Sequence, residues 1–140
     1  EETRLLINFK QIFIVLTGNA AQKYGDKLDK HQQLLLALAD ILIEIYFTES
    51  GILRTLKNCD RFGVDSQKIQ IAMTKAYLYE ATDTIARKGK EIILNMCDKE
   101  EQKQMMSVLH KKLQYQEWPD LIDLKTQIAD KLIEENKYCF

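Results

Sequence analysis

Proline occurs once and glycine five times in 140 residues. The residues that most often end helices and turn chains are thus scarce, and the elements should be long. Cys59, Cys97 and Cys139 are far apart and odd in number; this argues against a disulfide framework or a CxxC motif and leaves free thiols in a reducing compartment. Neither sign of charge dominates. Twenty basic and 21 acidic residues give a formal net charge of −1, so no broad electropositive surface exists to grip a phosphate backbone, and nucleic acid is not expected as a partner. Long apolar runs are also missing. The longest uncharged hydrophobic-looking stretch, Gln11 to Gln22, falls short of the roughly 20 residues needed to cross a bilayer.

What is present is a chain 46% hydrophobic and 29% charged, a balance that favours a helix-rich globular fold over disorder. Its length suits one domain spanning residues 1–140 around one core, and leaves little room for a second. No secretory signal stands at the front, and a start at Glu1-Glu2 without methionine reads as a fragment of a larger protein.

Apolar residues recur at helical spacing. Over about Thr3 to Tyr24, Leu5, Phe9, Ile12, Phe13 and Leu16 share a face that Ile14 and Val15 widen. Gly18, Ala20 and Ala21 invite a close neighbour, and Gly25-Asp26 should end the helix. A second helix, about His31 to Lys57, carries two stripes: Leu34, Leu38, Ile41, Ile45 and Ile52, then Leu35, Leu42, Tyr46 and Leu53. So wide a face predicts two neighbouring helices, as inside a bundle. Asn58 to Ser66 reads as a loop, with Ser66 capping a third helix over about Gln67 to Met96. That helix sets Ile71, Leu78, Ile85, Ile92 and Met96 on one face and the small Ala72, Ala76, Ala86 and Gly89 on another. Asp98 and Glu101 form a capping box for a fourth helix to about Leu113, with Met105, Leu109 and Leu113 inward. Trp118-Pro119-Asp120 interrupts before a last helix, about Leu121 to Asn136, bearing Leu124, Ile128 and Leu132. With no strand-like alternation and no close repeat, the expected architecture is all-α: an up-and-down bundle of four to five helices.

Chemistry is sparse in this pattern. His31 and His110 stand alone, best read as surface residues, and no ExxH pair supplies a di-iron site. No GxSxG, GxGxxG or P-loop occurs, and Cys59 has no histidine near it in sequence. Asp83 and Arg87 have the spacing of an ordinary intrahelical ion pair, which outweighs a catalytic reading. Tyr46, Phe47, Tyr77 and Tyr79 could line an acyl or aromatic-ligand cavity, but such residues more often fill a core, as do Met73, Met105 and Met106. Lys99, Lys103, Lys111 and Lys112 could rest the fourth helix on an anionic membrane. Glu100, Glu101 and Glu117 dilute that charge and favour a solvated helix. No catalytic, cofactor-binding or metal-ligating residue is assigned.

Particular runs carry a resemblance. Leu38-Ala39-Asp40 to Tyr46, followed by Glu49-Ser50-Gly51-Ile52-Leu53-Arg54-Thr55, resembles the acyl-CoA dehydrogenase helical pattern LADxxIxxYxxES(A)xLRT, with Gly51 where alanine is usual. The run from Ile71 to Ala81 is similar to the helix that follows it, and Ile128 to Phe140 looks like the family's chain end. The likeness covers nearly the whole chain and is strongest to the long, very-long-chain-like and Bacteroidetes-type acyl-CoA dehydrogenases, which append a second helical domain to the catalytic core.

The resemblance implies a parent flavoenzyme of fatty acid β-oxidation. In that family a glutamate removes the proton α to the thioester, and bound FAD accepts the β hydride to give an enoyl-CoA. The glutamate and the FAD and CoA sites belong to upstream domains, and no position here matches them. This chain would then be a non-catalytic appendage of a cytoplasmic bacterial enzyme, packing on the upstream catalytic domains and supporting a homodimer or contact with a membrane. An apolar docking patch should be exposed on it, with Ile7 and Ile14 of the first helix contributing. The alternatives are a free-standing helical adaptor that binds a partner helix, or a carrier of acyl chains between its helices.

Overall fold

The computed structural model describes residues 1–137, and among these every regular element is a helix. Helix α1 spans Glu2–Tyr24, α2 Gln32–Phe62, α3 Lys68–Met96, α4 Lys99–Leu113 and α5 Leu121–Glu135. The expected up-and-down bundle is what forms. The chain-end likeness at Tyr138 to Phe140, and with it Cys139, lies outside the described residues.

Helix α3 is the hub, touching each of the other four helices, and its broadest contact is with α2. The core collects Leu5, Phe9 and Leu16 from α1, Ile41 from α2, and Leu78, Ile85, Ile92 and Met96 from α3, all essentially without exposure. Each contributes about 1.5–3 kcal/mol by leaving water. Helix α5 packs on α3 alone and has no fully buried residue; Lys125 Nζ, 2.6 Å from Glu80 Oε1, helps hold it there.

The helix ends follow from local chemistry. Gly25, at φ +50°, closes α1 and leads into a 3-10 turn over Gly25–Lys30. The Asp98 carboxylate accepts from the backbone N–H groups of Glu100 and Glu101, while the Glu101 side chain accepts from the Asp98 N–H. This is the capping box expected for α4. Asp120 accepts from the Asp123 N–H and caps α5 as expected.

Three expectations need correction. The segment Asn58 to Ser66 is not a loop: α2 runs on to Phe62 and a 3-10 turn fills Val64–Gln67. Asn58, Cys59 and Asp60 fall only a few tenths of a kcal/mol per residue below the better helix formers, and Asn58 and Cys59 are still half-buried. Only Gly63, at φ 85° and ψ 147°, a region nearly closed to other residues, stops the helix. Ser66 accordingly does not cap α3. Its hydroxyl donates 2.8 Å bonds to the Phe62 and Gly63 carbonyls and secures the end of α2 instead.

The second correction concerns α2. Leu34, Leu38, Ile41, Ile45 and Ile52 are buried as expected, but Leu35, Leu42, Tyr46 and Leu53 are exposed. Among the described residues no helix covers the second stripe. The third concerns the small residues of α1: Ala20 is buried, but Ala21 is exposed and a β-carbon added at Gly18 would meet nothing within 4 Å. The close approach occurs on α3, where Leu109 of α4 sits against Gly89.

Candidate functional site

The uncovered stripe of α2 continues onto α1. Lys10 Nζ lies 2.6 Å from Glu49 Oε1 and ties the two helices together at the surface. Ile7 and Ile14 stand three before and four after Lys10, so they share its helical face, and Tyr46 and Leu53 are related to Glu49 in the same way. The ion pair is therefore flanked on both helices by large apolar side chains open to solvent, with Ile14 67% and Tyr46 66% exposed. Leu35 and Leu42 prolong the α2 side of this patch. Scattered exposed apolar residues are ordinary, whereas a patch spanning two helices is a candidate interaction surface. The exposure of Ile7 and Ile14 agrees with the docking patch expected from the sequence.

A second feature is a cleft of about 310 Å³ between α2 and α3. The Thr55 and Thr74 hydroxyls meet at 2.7 Å across it, and Tyr77 Oη donates to Glu44 Oε2 at 2.7 Å farther along. These two contacts fix the order of the lining. Phe47 and Tyr77 stand at one end, Met73 and Gly51 midway, and Arg54, Asn58 and Gln70 at the other. Burial, reinforced by the hydrogen bond to Glu44, pushes the Tyr77 phenol far above its ordinary range.

Of the aromatic residues weighed as a ligand cavity or a core, Phe47 and Tyr77 line this cleft, while Tyr46 faces solvent on the outer stripe. Tyr79 belongs elsewhere. It packs near Tyr115 and Trp118 of the α4–α5 connection, with centroid distances of 6.2 and 6.5 Å. Tyr115 is buried, although no helical period pointed to it. Met73 lines the cleft, and Met105 and Met106 pack on the core.

The remaining candidates are dispersed. His31 stacks on Tyr24 at 3.8 Å between centroids, and His110 is exposed. Arg87 pairs with Glu91 at 3.4 Å rather than with Asp83. Cys59 is half-buried at the end of α2, and burial raises the Cys97 thiol, which works against a reactive thiolate. Lys112 donates to Gln11 Oε1 at 2.6 Å, while Lys99, Lys103 and Lys111 are exposed. Among the described residues no three His, Cys, Asp or Glu side chains gather as a metal-binding group, and no helix is long and apolar enough to cross a membrane.

Known proteins resemble the chain over nearly its whole length. Residues 8–111 match the family model described as acyl-CoA dehydrogenase, C-terminal domain. A probable acyl-CoA dehydrogenase of Bacillus subtilis (strain 168) is 30% identical over 138 residues, which is 99% of this chain and 23% of that protein. The crystal structure of an acyl-CoA dehydrogenase from Bacillus anthracis complexed with FAD superposes with a TM-score of 0.95 at 32% identity, covering 99% of this chain and 24% of that one. The chain thus spans about a quarter of the length of each relative.

Proposed function

The chain belongs to the acyl-CoA dehydrogenase C-terminal domain family, and from that premise we propose that residues 1–140 form one non-catalytic helical domain of an FAD-dependent acyl-CoA dehydrogenase. Its role is to pack against the catalytic domains that precede it in the parent chain. The carrying observation is the apolar patch on α1 and α2 around the Lys10–Glu49 pair. A helix with one apolar face inward and another outward is what a domain excised from a larger core should present.

The chain gives a flavin pyrophosphate no ready seat at α4 or α5, whose N-termini are already capped by the Asp98 and Asp120 carboxylates. Oxidation of the acyl chain is assigned in this reading to the upstream domains, and no step of it to this chain.

The proposal extends to support of a homodimer of the parent, through any part of the patch that the catalytic domains leave free, and to a bacterial cytoplasmic enzyme. Membrane contact has less behind it, since Glu100, Glu101 and Glu117 stand among the lysines of α4 and the connection after it.

The test separates the two pieces. The upstream segment and the 140-residue chain are produced apart, mixed, and followed by size-exclusion chromatography and FAD absorbance. The proposal expects FAD on the upstream segment alone and co-elution of the pieces, lost when Tyr46 and Leu53 both become serine. Stoichiometric FAD on the 140-residue chain, or co-elution indifferent to those substitutions, would contradict it.

A further inference from the structure

The α2–α3 cleft is separate from the docking patch in its lining, and it is polarised. Its α2 wall, from Phe47 to Asn58, runs for roughly 16 Å at about 1.5 Å per residue. Phe47, Met73 and Tyr77 make one part apolar, while Arg54, Asn58 and Gln70 bring a cation and two amides to the end nearer the α2–α3 connection. Arg54 forms no ion pair among the described residues, and no carboxylate lines the cleft. Of the acids on α2, Glu44 pairs with Tyr77 and Glu49 with Lys10, while Asp60 is exposed and does not line the cleft. An unpaired guanidinium beside amide donors is suited to a carboxylate or phosphate head.

One feature of the lining leaves room for an occupant. A β-carbon added at Gly51 would meet nothing within 4 Å, so bare backbone leaves the middle of the cleft open.

We propose that this cleft binds a small amphiphilic anion: a linear apolar chain lying over Gly51 toward Phe47, Met73 and Tyr77, and a carboxylate or phosphate monoester head held by Arg54 with the Asn58 and Gln70 amides. The inference does not rest on the assignment of the parent enzyme. The two head groups share one chemistry and are separated by the probes used.

Isothermal titration with decanoate, decyl phosphate and decanol, each below its aggregation limit, is made on the natural protein that carries these residues and on the 140-residue chain. Saturable one-site binding of at least one anion by both is expected, and the tighter anion identifies the head group. Arg54→Gln should weaken that anion roughly tenfold or more while leaving decanol little changed, since a charge-assisted bond is lost. Gly51→Leu fills open space with a better helix former. It should leave the melting temperature unchanged or raised and abolish binding. Failure of the natural protein to bind either anion, affinity indifferent to Arg54→Gln, or affinity surviving Gly51→Leu would overturn the proposal. Binding by the 140-residue chain alone would also overturn it, by making the cleft a surface covered in the parent, and would leave the reading of the parent enzyme intact.

Discussion

Leu109 rests on the bare backbone of Gly89. A β-carbon placed at Gly89 would lie 3.0 Å from Leu109 Cδ1 and 3.1 Å from Cδ2, so any side chain at this position on α3 would push the Leu109 side chain of α4 aside by a few tenths of an ångström. A fully helical glycine costs about 1 kcal/mol against alanine in an open helix. Here that cost is offset by the burial of Leu109, and the two positions should be coupled.

Gly89→Val is therefore expected to destabilise the chain by about 1–3 kcal/mol through overpacking, and Leu109→Ala by about 2–5 kcal/mol through the cavity it leaves. Gly89→Ala in the Leu109→Ala background should be stabilising, because the clash has gone and the gain in helix propensity remains. Urea unfolding of the double-mutant cycle measures the coupling. Additive effects would mean that the α3–α4 contact is not set at this pair.

The capping box at Asp98 supplies a second prediction. Its carboxylate satisfies two N–H groups that α4 would otherwise leave unbonded. Asp98→Ala should cost about 1 kcal/mol, and Asp98→Asn or Asp98→Ser much less. Chemical denaturation of the three variants checks this, and equal losses would place the effect in charge rather than in the cap.

Those two features differ in how readable they were from sequence. The box at Asp98 and Glu101, the cap at Asp120 and the stop at Gly25 are local devices, written within four residues, and each forms where the sequence predicts it. The end of α2 was misplaced because Asn58, Cys59 and Asp60 are weak helix formers, not breakers, and the glycine that does end the helix lies five residues past Asn58. Tyr115 was missed because a buried residue in a connection leaves no periodic signal.

The outward stripe of α2 marks another limit. Periodicity reveals that Leu35, Leu42, Tyr46 and Leu53 share a face, but not whether this chain or another covers it. The cleft was illegible for a related reason: Arg54, Asn58 and Gln70 converge only because α2 and α3 fold back on each other at Gly63.

Titration provides a third prediction. Burial and the Glu44 hydrogen bond raise the Tyr77 phenol above its unfolded value of about 10. A folded pKa raised in this way means that its contribution is fully present below pH 10 and is lost as pH rises beyond it, because the unfolded chain releases the proton first. Lys88 and Lys131, whose pKa values are raised by their acidic partners, lose their contributions at similarly high pH. Urea midpoints should fall between pH 9 and pH 11, and less steeply in Tyr77→Phe. An identical slope in the variant would contradict a raised pKa at this phenol.

Leu42→Ser, Tyr46→Ser and Leu53→Ser remove apolar side chains that stand exposed among the described residues. Each should change the stability of the 140-residue chain by no more than about 0.5 kcal/mol, as thermal unfolding would register. Ile41→Ser, one position from Leu42 but fully buried, should lower stability by several times that amount. Comparable losses at Ile41 and Leu42 would mean that both stripes face the interior of the bundle.

The central claim is that the patch around Lys10 and Glu49 is covered by the rest of the parent protein. Hydroxyl-radical footprinting of Ile14, Tyr46 and Leu53, read by mass spectrometry in the natural protein and in the 140-residue chain, tests it most directly. Strong protection of these three side chains in the natural protein, with Trp118 serving as an exposed internal reference in the shorter chain, is the predicted result. Equal reactivity in both would contradict it.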